Sequence, residues 1–213
     1  MKLVLFGATG HIGQALVVES LRRGHAVTAI VRDLSRLSGA YPQLDVVAGD
    51  IAKPSTYRDA MQHADGVIAS ISARRDNDNS SVARNAGVLL DAAAKAGVGR
   101  LAWVGGAGSL EVKPGVRVID DPHFPAAWKP EAEAQAEALA VFRASSANVD
   151  WVYVSPAALL EDGERTGSYR LGGDQLLVDA NGASRITIPD YAAALLDRLE
   201  LNDSPRRRVT VAY

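Results

Sequence analysis

The chain contains no cysteine, which excludes disulfide staples, thiolate metal sites and cysteine nucleophiles together. It has little excess of either charge: 23 basic against 25 acidic residues leave a formal net charge of −2. So small a balance offers no bulk field to draw the chain onto nucleic acid or a membrane, and neither is expected as a partner. Long apolar runs are missing too. No stretch approaches the roughly 20 residues of a membrane-spanning helix, and residues 1–6 read as a strand, too short and wrongly flanked for a signal peptide. A cytoplasmic location is the simplest expectation. The four histidines, His11, His25, His63 and His123, lack metal-site spacing and have no carboxylate cluster beside them, so no metal is expected. Ser109 and Ser155 have no recognisable histidine partner, which argues against a hydrolase.

What is present is ordinary globular material. The 213 residues are 47% hydrophobic and 23% charged, enough for one domain, 1–213, with a substantial core. Apolar runs at 3–6, 26–31, 44–48, 66–70, 101–104 and 151–154 predict strands. Helical spacing predicts helices after residue 11, over 56–62 and 79–96, and around 134–142. Strands alternating with helices imply βαβ units and a Rossmann-type, doubly wound parallel α/β sheet. The C-terminal third reads differently. Residues 155–182 are glycine-rich, Asp190 stands at the N-cap or first turn of a helix, and 209–211 can close as a strand. This third is expected to add a small extension on the substrate side. Arg206–Arg208 read as a solvated strand entrance.

The most informative stretch is 2–13. Its apolar run is cut at Gly7, and Gly10 and Gly13 follow at a spacing of three as helix-period residues begin. A strand, a tight turn and a helix start in this arrangement cradle a dinucleotide pyrophosphate on backbone N–H groups at the positive end of the helix. Gly7, Thr9, Gly10, His11, Ile12 and Gly13 are the candidate phosphate-turn residues. The end of the second strand selects between cofactors, because an acidic residue there takes ribose hydroxyls and an arginine takes a 2′-phosphate. The chain reads Arg32-Asp33 with Arg36 one turn later. Arg32 is the first polar residue off the strand, which favours NADP(H) over NAD(H); in the opposing reading Asp33 takes the hydroxyls. Asp50 and Ile51 follow the third strand, where a carboxylate can accept from the adenine amino group or serve only the turn. Ser70 and Ile71 end the fourth strand and should line the same ligand.

One connection is long. The 26 residues between Val104 and Glu131 carry several glycines and prolines, and connections of that length tend to be lids or binding loops. Residues 105–130 and 155–190 are therefore the expected substrate-side lid.

Gly7-Ala8-Thr9-Gly10-His11-Ile12-Gly13 and Gly49-Asp50 resemble the atypical, NAD(P)-binding branch of the short-chain dehydrogenase/reductase superfamily. More specific are Val104-Gly-Gly-Ala-Gly-Ser-Leu110, Phe124-Pro125 and Ser155-Pro-Ala-Ala-Leu159, with Gly163-Glu-Arg-Thr-Gly167, Gly172-Gly-Asp-Gln-Leu176 and Ile188-Pro-Asp-Tyr191. Together they resemble the NADH-flavin reductase group, relatives of NmrA-like and biliverdin-IXβ-reductase-like proteins. The resemblance implies cofactor contacts at Gly105, Gly106, Pro156 and Ala157.

The chain departs from the wider superfamily at its centre. The residues four positions before Lys53, Lys95, Lys113 and Lys129 are Gly49, Asp91, Ser109 and Pro125, and Lys2 has none. No Tyr-x-x-x-Lys acid/base pair exists, so epimerase and ordinary alcohol dehydrogenase chemistry are disfavoured. Hydride transfer to a flavin, quinone or similar planar acceptor asks less of the protein, since solvent supplies the proton. A flavin would then be a substrate and not a bound prosthetic group. Phe124 and Trp128 are candidates to sandwich the acceptor or, alternatively, to pack the lid onto the core. Lys129 is a candidate phosphate contact or a surface lysine, and His123 a candidate acid. The alternative to a reductase is a non-catalytic redox sensor of the NmrA-like type. As an assembly, a monomer or a homodimer is expected.

Overall fold

A computed structural model describes residues 1–37, 41–73 and 78–213. β1 (Lys2–Phe6) leads through the glycine turn into α1 (His11–Arg22), followed by β2 (Ala26–Val31) and β3 (Leu44–Ala48). The short helix expected over 56–62 is a 3-10 turn at Pro54–Thr56 and then α2 (Arg58–Met61). β4 (Gly66–Ala69), α3 (Ser80–Ala96) and β5 (Arg100–Val104) complete the first half. The long connection contains the hairpin β6 (Glu111–Lys113) and β7 (Val116–Arg117) and two 3-10 turns before α4 (Lys129–Ala144). Then come β8 (Asp150–Ser155), β9 (Leu159–Glu161), β10 (Arg170–Gly172), β11 (Arg185–Thr187), α5 (Ile188–Leu201) and β12 (Arg207–Ala212).

The main sheet runs β10-β12-β8-β5-β4-β1-β2-β3, parallel throughout except for the antiparallel edge strand β10. Strand order reverses between β1 and β4, and such a switch point opens a crevice beyond the strands' C-terminal ends. Both faces of the sheet are covered, which is why the central strands read as unbroken apolar runs. On one face α1 and α5 pack over Leu3, Leu5, Ile68 and Val154. On the other, α3 and α4 pack over Val4, Phe6, Val67 and Trp103. Phe142 on α4 meets Trp103, Trp151 and Tyr153 with ring centroids 5.3–6.0 Å apart, filling the space beneath α4.

The C-terminal third supplies more than an extension. β12 pairs with β8 inside the main sheet, and α5 is one of the two helices on its face. Thr187 caps α5, and Asp190 sits fully buried in its first turn. Asp190 accepts hydrogen bonds from Thr166, Gly167 and Tyr213. These bonds hold its carboxyl below the usual carboxylate range even though burial pushes the other way. Arg165 from the same loop reaches Glu19 on α1, so segment 162–168 is tied down at two points.

The expectation of a solvated entrance at Arg206–Arg208 fails at Arg208. Its side chain is 3% exposed. It donates to Asp174 at 2.6 Å and to the Ser109 hydroxyl at 2.9 Å, because β12 is an interior strand whose second residue points under the hairpin connection. Among the described residues no helix is long and apolar enough to cross a membrane.

Candidate functional site

The switch point carries a cleft of about 620 Å³. Four strand ends line it: Phe6 and Gly7 at the end of β1, Ile30 to Asp33 at the end of β2, Gly49 to Ile51 after β3, and Ser70 to Ser72 after β4. Thr9, Gly10, Arg36 and Asn85 complete the wall. Phe6 meets Tyr57 edge to face at 4.8 Å, and the Tyr57 hydroxyl donates to the Ile51 carbonyl at 2.9 Å. This pair fixes the floor between β1 and the β3 loop. Burial, helped by the Asp50 carboxylate, pushes the Tyr57 phenol up to about 12, so it stays neutral and structural.

The three glycines of the turn serve different ends. Gly7 has φ +81°, and a Cβ there would land on the Ser70 carbonyl. A Cβ on Gly13 would strike the Gly7 carbonyl, so that glycine lets α1 approach the strand. Gly10 is different. Its φ of −83° and ψ of 166° suit any residue, and a Cβ would meet only the Gly7 carbonyl, at 3.4 Å. Among the described residues nothing requires glycine at position 10. The open space beside it is the cleft itself, bordered by the first-turn N–H groups of α1, which have no acceptor within the helix. A cradle kept free of a side chain, at the positive end of a helix, fits the pyrophosphate of a dinucleotide.

At the β2 end, Arg32, Asp33 and Arg36 are all exposed and all line the cleft. One carboxylate oxygen of Asp33 accepts from Ser35, from its N–H at 3.0 Å and from its hydroxyl at 2.7 Å. These bonds lower its pKa. Asp50 also lines the cleft while its Oδ1 accepts from the Ala52 N–H at 3.0 Å. Turn aspartate and cleft residue are thus one and the same.

Of the sequence-selected residues, Gly7, Thr9, Gly10, Arg32, Arg36, Asp50, Ile51, Ser70 and Ile71 share this wall. His11, Ile12 and Gly13 follow it on the first turn of α1, where His11 pairs with Asp162 at 2.9 Å on the surface. Gly105 and Gly106 lie elsewhere. They pack on Tyr153, whose ring a Cβ on Gly105 would enter and whose hydroxyl accepts from the Gly106 N–H. Pro156 and Ala157 are buried beyond β8. Phe124 is half-buried, Trp128 is 48% exposed, and Lys129 and His123 are exposed; none of the four lines the cleft.

Sequence reasoning passed over Ser72 and Asn85. Ser72 donates to Glu131 at 2.8 Å, and Glu131 also accepts from the Ala73 N–H and from Gln135. Gln135, 5% exposed, in turn bonds the Ile71 carbonyl and the Trp103 indole. The first turns of α4 thereby brace the cleft wall after β4. Asn85 is a polar position on a helix whose apolar period alone was informative.

The chain matches the model of the NAD(P)H-binding family over residues 7–199. It is 34% identical to the uncharacterized protein YwnB of Bacillus subtilis, over 99% of this chain and 98% of that one. A crystal structure from Burkholderia pseudomallei, provisionally named an exported protein, superposes with a TM-score of 0.90 at 39% identity and full coverage of both chains. Another, from Streptococcus pneumoniae and provisionally named an NADH-flavin reductase, gives 0.88 at 33% identity, over 100% of this chain and 99% of that one. The glycine turn, the switch-point cleft and these matches coincide: the chain belongs to the NAD(P)H-binding family of Rossmann-type proteins.

Proposed function

We propose that the protein is an NADPH-dependent reductase that passes hydride to a flavin, quinone or similar planar acceptor taken as substrate. The observation that carries this reading is the composition of the cleft wall. Arginines stand at one end, backbone and hydroxyls at the other, and no acid/base pair lies among its described residues. Bound NADPH would supply the hydride, and one proton from solvent completes the reduction of a conjugated acceptor. The chain's own work is to hold and orient. Gly10 and the first turn of α1 bind the pyrophosphate, Arg32 and Arg36 take the 2′-phosphate, and Ser70 and Ile71 line the remainder. Asp33 is a weaker partner for ribose hydroxyls because Ser35 already engages one of its oxygens, which supports NADPH over NADH.

Segments 105–130 and 155–190 form the acceptor side in this reading. Trp128 at the N-cap of α4 is exposed and does not fill the cleft. It stands one turn before Glu131, which bonds the cleft residue Ser72. An exposed aromatic there suits a planar acceptor. The test is NADPH oxidation followed at 340 nm with FMN, riboflavin and a quinone panel. Turnover above the protein-free rate is expected with at least one acceptor. Tight NADPH binding with no turnover on any of them would sink the reductase and favour a redox sensor.

A further inference from the structure

Asn85 has no task in the proposed reaction, yet it lines the cleft from the second turn of α3. Its side chain is half-buried, and among the described residues nothing bonds to its amide. The amide is thus open to the cleft and available to a ligand. Its neighbours locate it. α3 packs against the 3-10 turn at Pro54–Thr56 and against α2, both of which follow the β3 end of the cleft. Ile30, near the end of β2, and Ile51, after β3, line the cleft. Asn85 therefore stands on a helix beside the half that carries Asp50 and Ile51.

On the dinucleotide reading, on which this inference rests, that half holds the adenosine. Ile30 and Ile51 offer apolar surface to a flat base. The base edge presents an amino donor beside a ring-nitrogen acceptor. Arginines only donate, and ionised Asp50 only accepts. A primary amide has one acceptor and one donor group side by side, the pairing by which asparagine reads adenine in nucleic acids. Among the described residues that line the cleft, Asn85 is the one amide. We propose that Asn85 is the base-reading residue of the cleft. Its Oδ1 accepts from the adenine amino group while its Nδ2 donates to the adjacent ring nitrogen.

The test is a cycle of two proteins and two ligands read by calorimetric titration, with no turnover involved. The ligands are NADP⁺ and its 1,N6-ethenoadenine analogue, in which an extra ring consumes the amino hydrogens and N1. Asn85→Leu should weaken NADP⁺ by about fivefold or more and the analogue by less than about twofold. Asn85→Asp, which keeps an acceptor and loses the donor, should fall between on NADP⁺. Equal weakening of both ligands, or none of either, would overturn the assignment, as would loss of the difference in Asp50→Ala with its retention in Asn85→Leu. Failure of wild-type protein to bind either ligand would overturn the dinucleotide reading itself.

Discussion

Replacing Glu19 by glutamine removes one negative charge from a site that three guanidinium groups surround and leaves its volume almost unchanged. Glu19 is 5% exposed on its side chain and accepts from Arg22, Arg23 and Arg165 at 2.7–3.1 Å. Burial pushes its carboxyl up, but the three hydrogen-bonded arginines outweigh it and hold the carboxyl at about 2, against an ordinary 4.5. A depression of that size is worth about 3 kcal/mol at neutral pH. For 213 residues, with unfolding entropy of about 2 cal/mol/K per residue, the loss lowers Tm by roughly 7 °C. The pH dependence has a definite sign. The folded pKa is depressed, so the stabilisation is fully present above about 4.5 and is lost as pH falls towards 2. Urea unfolding of wild type and Glu19→Gln at pH 7 and pH 3 should give a difference that shrinks by about 2 kcal/mol at the lower pH. Other carboxylates titrate in both proteins and cancel. A difference under about 1 kcal/mol at pH 7, or one unchanged at pH 3, would refute the reasoning.

Two further outcomes follow from the same physics. Arg208 is buried against Asp174 and Ser109, so Asp174→Ala, which strands part of a buried cation, should cost about 2–3 kcal/mol in urea unfolding; Arg208→Met, which removes the cation, should cost less than about 1.5 kcal/mol. Arg32→Ala should raise the Kd for NADPH about tenfold and leave that for NADH within about twofold, measured by nucleotide fluorescence.

Much of the fold was legible because the central strands are buried on both faces and read as plain apolar runs, as at Leu3 to Phe6 and Ala29 to Val31. The hairpin within the long connection was not, because strands of two and three residues carry no period. Glu19 and Arg208 show a second limit. Each looks like a surface charge in sequence and finds partners in distant segments, Arg165 for one and Asp174 for the other. At the site, the glycine turn and the strand ends could be read because the glycine spacing and the ends of the apolar runs are both visible in sequence. Asn85 could not, since a polar residue on an amphipathic helix defaults to solvent. Gly105 and Gly106 mark a third limit: the resemblance alone singled them out, and in the fold a Cβ would meet the Tyr153 ring at Gly105 and Gln135 at Gly106.

The central claim is that the turn after β1 is kept open for a dinucleotide, and position 10 tests it most directly. Thermal unfolding and NADPH titration should be run on Gly10→Ala beside Gly7→Ala. The structure accommodates a Cβ at position 10 and not at position 7. Gly10→Ala should keep Tm within about 2 °C while weakening NADPH more than about tenfold, whereas Gly7→Ala should lower Tm itself. A folded Gly10→Ala protein that binds NADPH as tightly as wild type would contradict the account.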